Sequence, residues 1–364
     1  VTTRNVNQKL SLSVALSIEK RSKKGLRPAL SDESNAASPE FTSLTDHVAP
    51  LAAEGHVLHA AFLNDEPVLV LAEGEIVIGE RRVAPHRHSG ILVAVCDRDG
   101  IYTGGDDGKI IRTLASGESE TLAHEQGKWI DALCVKGDTV AWATGKTVSA
   151  RDGKGQIKST LMATTPQGLC FLPKGYRLVI SQYGGVALWF PNVDAAPEKL
   201  EWKGAHIDVT VSPDGRFIVT SMQENALHGW RLADKKDMRM TGYPSKTRCF
   251  SWSHDGEWLA TSGADAAIVW PFQDKDGPMG KAPKELGVRS SKVSSVAFHP
   301  KAPVVAIGYD DSCVLMCRFT DAAELLVRRA SRMDGKISAM AWDADGRRLL
   351  FGTEGGAAGI LTLP

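Results

Sequence analysis

The side chains best suited to chemistry are His86, Arg87 and His88, followed further along by Asp106 and Asp107. Imidazoles and carboxylates are the ligands of a hydrolytic metal, or a general acid and base. A His-x-His on an extended segment, however, has no second pair at ligand spacing, and Asp106-Asp107-Gly108 reads as a turn. A structural role is therefore expected and no metal. Tyr309-Asp310-Asp311 offers paired carboxylates, but adjacent residues at a strand end point to opposite sides, so this too reads as a turn. The six cysteines, Cys96, Cys134, Cys170, Cys249, Cys313 and Cys317, form neither a CxxC pair nor a Cys/His cluster at zinc spacing. They fall in apolar extended segments and read as buried free thiols, which favours a reducing compartment. There is no GxSxG elbow, HExxH or P-loop, and the glycines of TGGDDG (103–108) and TEGG (353–356) sit in turns with no helix to follow. A phosphate cradle is unsupported. No catalytic residue and no cofactor is expected.

The elements that must carry these residues are strands, and they repeat. Ile207 to Trp230 reads IDVTVSPDGRFIVTSMQENALHGW, and Lys246 to Trp270 reads KTRCFSWSHDGEWLATSGADAAIVW. Each has an alternating apolar segment, a Ser-x-Asp-Gly turn, a second alternating segment, a short polar turn and a third segment ending in Trp. The pattern predicts strand, hairpin, strand, hairpin, strand. Such a unit cannot bury both faces of its own sheet, so copies must stack around a closed ring. First strands are expected at Val57, Ile91, Trp129, Gly168, Ile207, Thr247, Val293 and Ile337, which makes eight copies. The first copy is the shortest, and the segments EIVIGE and RRVAPH would have to turn with almost no loop, so seven blades stay open. The last copy ends after its third segment, AAGILTLP. Phe41–Val48 is strand-like and would supply the missing fourth strand, closing the ring. Gln273–Gly287, rich in Pro and Gly, is expected as a surface loop between the third and fourth strands of the sixth copy.

At these residues the chain resembles the WD-repeat (WD40) family of β-propellers, and its stand-alone bacterial type in particular. In that family a His between blades, a Ser or Thr on the second strand, an Asp in the next turn and a Trp on the third strand form a hydrogen-bonded set. The resemblance places His206, Thr220, Glu224 and Trp230 on those positions, with Glu replacing Asp. It places Thr261, Asp265 and Trp270 there in the next copy, which has no matching His, and Thr103 and Asp107 in the second. The set implies loop-pinning, not catalysis. The resemblance also implies a non-catalytic scaffold that binds a protein or peptide partner on a loop-lined face.

The 364 residues suit one such domain over 39–364, with 1–38 outside the repeat pattern. That extension carries the apolar run Leu10–Ile18 before its main basic cluster, an arrangement unlike a secretory signal, and its composition predicts disorder or a non-native tail. Lys plus Arg and Asp plus Glu are 43 each, which removes a global electrostatic case for nucleic acid or an anionic membrane. No run of about 18 apolar residues predicts a spanning helix. A cytoplasmic, monomeric propeller is expected.

Among nine tryptophans, Trp142, Trp189, Trp230, Trp252, Trp258, Trp270 and Trp342 fall on strands and read as core. Trp129 and Trp202 flank connections between copies, near Lys128, Lys203, Tyr183, Tyr243 and Tyr309. They suit either an interface hot spot or a cover over the ring's edge. The candidate partner-binding face comprises Trp129, Tyr183, Trp202, Gln223, Lys246, Arg248 and Tyr309, with a peptide entering the central channel. Lys246, Arg248, Arg289 and Lys292 could offer phosphate contacts, but the zero net charge argues against nucleic acid. The alternative from another class is a propeller enzyme holding a metal or organic cofactor in the channel. Its site would need convergent polar groups at the first strands, where only His59, Asp131 and Asp208 are scattered.

Overall fold

The Ser-x-Asp-Gly turns form as their chemistry dictates. Ser212 Oγ donates to Asp214 (2.6 Å) and accepts from the N–H of Phe217 (2.9 Å), Asp214 accepts from the N–H of Arg216 (2.9 Å), and Gly215 takes φ +77°. Ser253, Asp255 and Gly256 repeat this in the next copy, and Asp343 and Gly346 form a simpler version in the last. Each turn joins a first strand to a second. In the first copy, Ile78 pairs with Arg81 across a two-residue hairpin made possible by Gly79 at φ +56°.

A computed structural model of the chain describes residues 43–98 and 100–364. The expectation for residues 1–38 lies outside them. The protein is all-β, built of antiparallel sheets whose first strands pack side by side in chain order, the last against the first. These strands are Val57–Leu63, Ile91–Asp97, Ala132–Lys136, Gly168–Phe171, the second half of Glu198–Val211, Phe250–Trp252, Val293–Phe298 and Ile337–Trp342. Those of the third and sixth copies begin three residues later than the sequence suggests. Second strands such as Phe217–Met222 and Val304–Tyr309 are buried along their whole length, because neighbouring sheets cover both faces. Fourth strands such as Ile157–Leu161 are largely exposed at the periphery.

Among the described residues, hydrogen bonding groups the strands into seven sheets, six of four strands and one of six. Eight separate sheets are not found, and seven is the lower of the two counts that the repeats allow. The cause is local. Glu198–Val211 is one continuous strand that serves as the fourth strand of the fourth copy and the first strand of the fifth, so these two copies share a sheet.

Closure works as expected in kind but not in place. The strand that completes the last sheet is Val48–Ala52, paired antiparallel with Ala357–Thr362, whereas Phe41–Val48 was the segment expected there. Thr45–His47 instead forms a 3-10 turn, which Leu44 anchors by donating its N–H to Leu326 O (2.7 Å). Residues 41 and 42 lie outside the described residues. Pro50 is tolerated because an outermost strand need not donate on its free side. Leu44 and Leu361 then join Val314, Val327 and Phe351 in one apolar cluster.

Candidate functional site

Antiparallel order puts two kinds of connection at the same end of every sheet: the turns between second and third strands, and the links from one copy to the next. Backbone bonds tie them together, with Asp106 N–H to Gly90 O (3.1 Å), Gln223 N–H to Ala205 O (2.9 Å) and Asp310 N–H to Lys292 O (2.9 Å). The result is one continuous face around the channel mouth.

The loop-pinning set is most complete in the second copy. His86 Nδ1–H donates to Asp107 Oδ1 (3.0 Å), leaving Nε2 to accept from the hydroxyl of Thr103 (2.8 Å). Burial lowers the pKa of His86 against the pull of Asp107. For Asp107, burial works upward, but the N–H of Lys109 and the imidazole outweigh it and hold the carboxyl low. His86 is thus structural, and the sequence assignment omitted it from the set. In the fifth copy His206 Nδ1 lies 2.7 Å from Thr220 Oγ1, while Nε2–H donates to Trp202 O (3.1 Å). Glu224 is exposed and accepts from the N–H of Ala205 (3.3 Å), with no bond to the imidazole, so the Glu replacement breaks that link. Trp230 is buried with its ring 5.6 Å from His206. In the sixth copy Tyr243 stands in for the missing His. Trp270 Nε1–H donates to its hydroxyl (2.7 Å), which lies 2.7 Å from Thr261 Oγ1. Asp265 is exposed and takes no part. The missed signal was spacing: His86 precedes its Thr by 17 residues and Tyr243 by 18, against 14 for His206.

The candidate partner face is partly assembled. Trp129 and Tyr183 are 64% and 65% exposed, and Gln223 and Arg248 are also exposed. Lys246 is half-buried. Tyr309 does not belong to the face. It is fully buried, its hydroxyl donates to Gly287 O, and Arg289 covers its ring at 5.1 Å. Trp202 is half-buried and stacked on His228 at 4.0 Å, so it covers the sheet and is not a free anchor. Tyr243, read as a neighbour of this face, is core.

Between the first strands of the second to sixth copies the channel mouth opens into a cavity of about 250 Å³ whose wall includes Asp131, Gln167, Asp208, Ser221, Thr247 and Arg248. Asp131 and Asp208, scattered along the sequence, both come to this wall, while His59 is not among its residues. Burial pushes the Asp208 carboxyl up to about 6, opposed by the Val209 N–H and Arg248, and burial pushes the His59 imidazole down to about 4. Among the described residues no three His, Cys, Asp or Glu side chains come together as metal ligands. All six thiols are free, and burial raises the pKa of each.

Comparison with known proteins gives a consistent picture. A family model described as "WD domain, G-beta repeat" matches residues 236–270. WD repeat-containing protein 1 of Mus musculus is 25% identical over 54% of this chain and 33% of its own length. THO complex subunit 3 of Arabidopsis thaliana is 21% identical over 51% of this chain and 58% of its own. The chain therefore spans a third to under two thirds of these relatives. Among solved structures, the computationally designed Ika8 protein superposes with a TM-score of 0.71 at 16% identity, covering 85% of this chain and 97% of that one. That likeness concerns the fold alone.

Proposed function

Because the chain belongs to the WD-repeat β-propeller family, we propose that it is a non-catalytic platform whose loop-lined face receives a peptide segment of a protein partner at the channel mouth. The observation that carries this reading is the pair Trp129 and Tyr183, 64% and 65% exposed on the face that bears Arg248 and the cavity. Large exposed aromatics on the same face as an arginine are the residue types enriched at binding centres, and a rigid ring presents them at little ordering cost. We read the ring as eight-fold, two of its units sharing Glu198–Val211. The protein acts in the cytoplasm as a single propeller, and nucleic acid is not its ligand.

The test places a photo-crosslinking phenylalanine analogue at Tyr183, or at Phe190 in the loop at the opposite end of the same sheet. A specific protein adduct formed from position 183 and absent from 190 is expected. Adducts from 190 alone, or from neither position, would overturn the assignment of the face.

A further inference from the structure

The polar groups around the channel-mouth cavity are unevenly satisfied. Asp131 accepts from the N–H of Gly145 (3.1 Å) and Asp208 from that of Val209 (2.7 Å), so each carboxylate has a backbone donor. Arg248 is anchored through its backbone, whose N–H donates to Ser262 Oγ (3.1 Å), while its guanidinium has neither hydrogen bond nor ion pair among the described residues. Ser221 is fully buried on the same wall, and its hydroxyl has no partner among the described residues. Both carboxylates keep further acceptor sites, but the group on this wall that is wholly unused is the donor fork of Arg248. A planar two-oxygen anion matches such a fork in a bidentate way. A cationic side chain would instead meet Arg248 head-on.

We propose that this cavity receives the carboxylate of an Asp or Glu side chain from the bound peptide, with Arg248 pairing both oxygens and Gln167 and Ser221 as its neutral polar lining. The inference rests on the reading of the face as a peptide-binding surface. The cavity, about 250 Å³, admits a side chain and not a folded element. A phosphate is disfavoured, because its second charge would face Asp131 and Asp208 with one guanidinium to offset it.

The wall adds a pH signature. Asp208, titrating near 6, is faced by Arg248, by Asp131 across the cavity, and by the thiols of Cys170 and Cys249, which burial keeps neutral. Once Asp208 is ionised it repels an incoming carboxylate. Affinity for an acidic peptide therefore rises as pH falls from 7.5 to 5.5, a range in which the peptide's own Glu stays ionised.

The experiment pans a displayed library of random decapeptides on the full chain, then measures affinities of the selected peptides by fluorescence anisotropy. A shared Asp or Glu is expected. Arg248→Gln should weaken binding roughly ten- to a hundredfold, and so should changing that peptide residue to Gln, with little further loss when both are made. The peptide substitution keeps the test valid even where Arg248→Gln does not fold. Selected peptides that need Trp129 and Tyr183 but no acid, that are basic, or that bind over tenfold better once a phosphoserine replaces the acid, would overturn the carboxylate assignment and leave the platform reading intact. If no peptide is selected, or none responds to Trp129→Ala and Tyr183→Ala, both readings fall.

Discussion

In the sixth copy the Tyr243 phenol stands where the second and fifth copies have an imidazole. The exchange works because a hydroxyl can accept from Trp270 Nε1 and bond Thr261 Oγ1 at once, both at 2.7 Å. Tyr243→Phe strands a buried donor, so a loss of about 1–3 kcal/mol is expected in urea denaturation, while exposed Tyr183→Phe stays within about 0.5 kcal/mol. Asp208 gives a second, pH-dependent outcome. Its carboxyl titrates near 6 in the fold, against roughly 4 in an unfolded chain. The native state thus holds the extra proton between those values, and stability falls as pH rises through that window. Asp208→Asn should be more stable than the parent at pH 7.5, by about 1–3 kcal/mol, with the gap closing towards pH 4. A gap that does not change with pH would rule out ionisation as its cause. Exposure of Trp129, Tyr183, Gln223 and Arg248 was legible from their places beside turns. The burial of Tyr309 was not, because a side chain at a strand end turns inward or outward according to what its neighbours, here Gly287 and Arg289, leave open.

At the scale of elements, three second strands carry a glycine that faces the start of the next copy's first strand or, for Ile130, the residues just before it. A Cβ on Gly104, Gly308 or Gly352 would lie 2.5 Å from a methyl of Ile130, Ile337 or Val57 respectively. The glycine supplies room here and no special backbone angle. Gly352→Ala should cost about 1–3 kcal/mol by overpacking, with partial recovery in the Gly352→Ala, Val57→Ala pair, read from thermal or urea unfolding. A neutral Gly352→Ala would show that the two copies can move apart. The insertion after the third strand of the sixth copy is held to the fifth by Arg231, which donates to Lys275 O (3.0 Å) and pairs with Asp276. Its loop character over 273–283 was plain from Pro and Gly; its anchoring was not, nor was it plain that Lys284–Leu286, within the expected loop, is the fourth strand, paired with Ala267–Val269. Hairpins could be read wherever Ser, Asp and Gly stood at turn spacing, since those residues make their bonds within a few positions. The shared strand Glu198–Val211 carries no such mark, because whether a link stays extended depends on the sheets at both its ends.

The whole molecule depends on joining its two ends. Val48–Ala52 covers the outer edge of Ala357–Thr362, and Val57 packs with Leu350 and Ala339 across the seam between last and first copies. A variant lacking residues 1–52 leaves that edge unpaired, so it should melt at lower temperature and self-associate with concentration, followed by calorimetry and light scattering. An unchanged melting temperature and a monomeric state would show that closure by this strand is dispensable. By itself the sequence determined the all-β class, the repeating unit, the ring with its missing fourth strand and the family resemblance, because periodicity and turn chemistry are local properties. Only the tertiary structure decided that the sheets among the described residues number seven, that Val48–Ala52 closes the ring, and that His86 and Tyr243 join the pinning sets. It also brought Asp131, Asp208 and Arg248 to one cavity wall. These outcomes involve residues far apart in the chain, whose meeting is set by how the copies stack around the channel and not by any pattern within one of them.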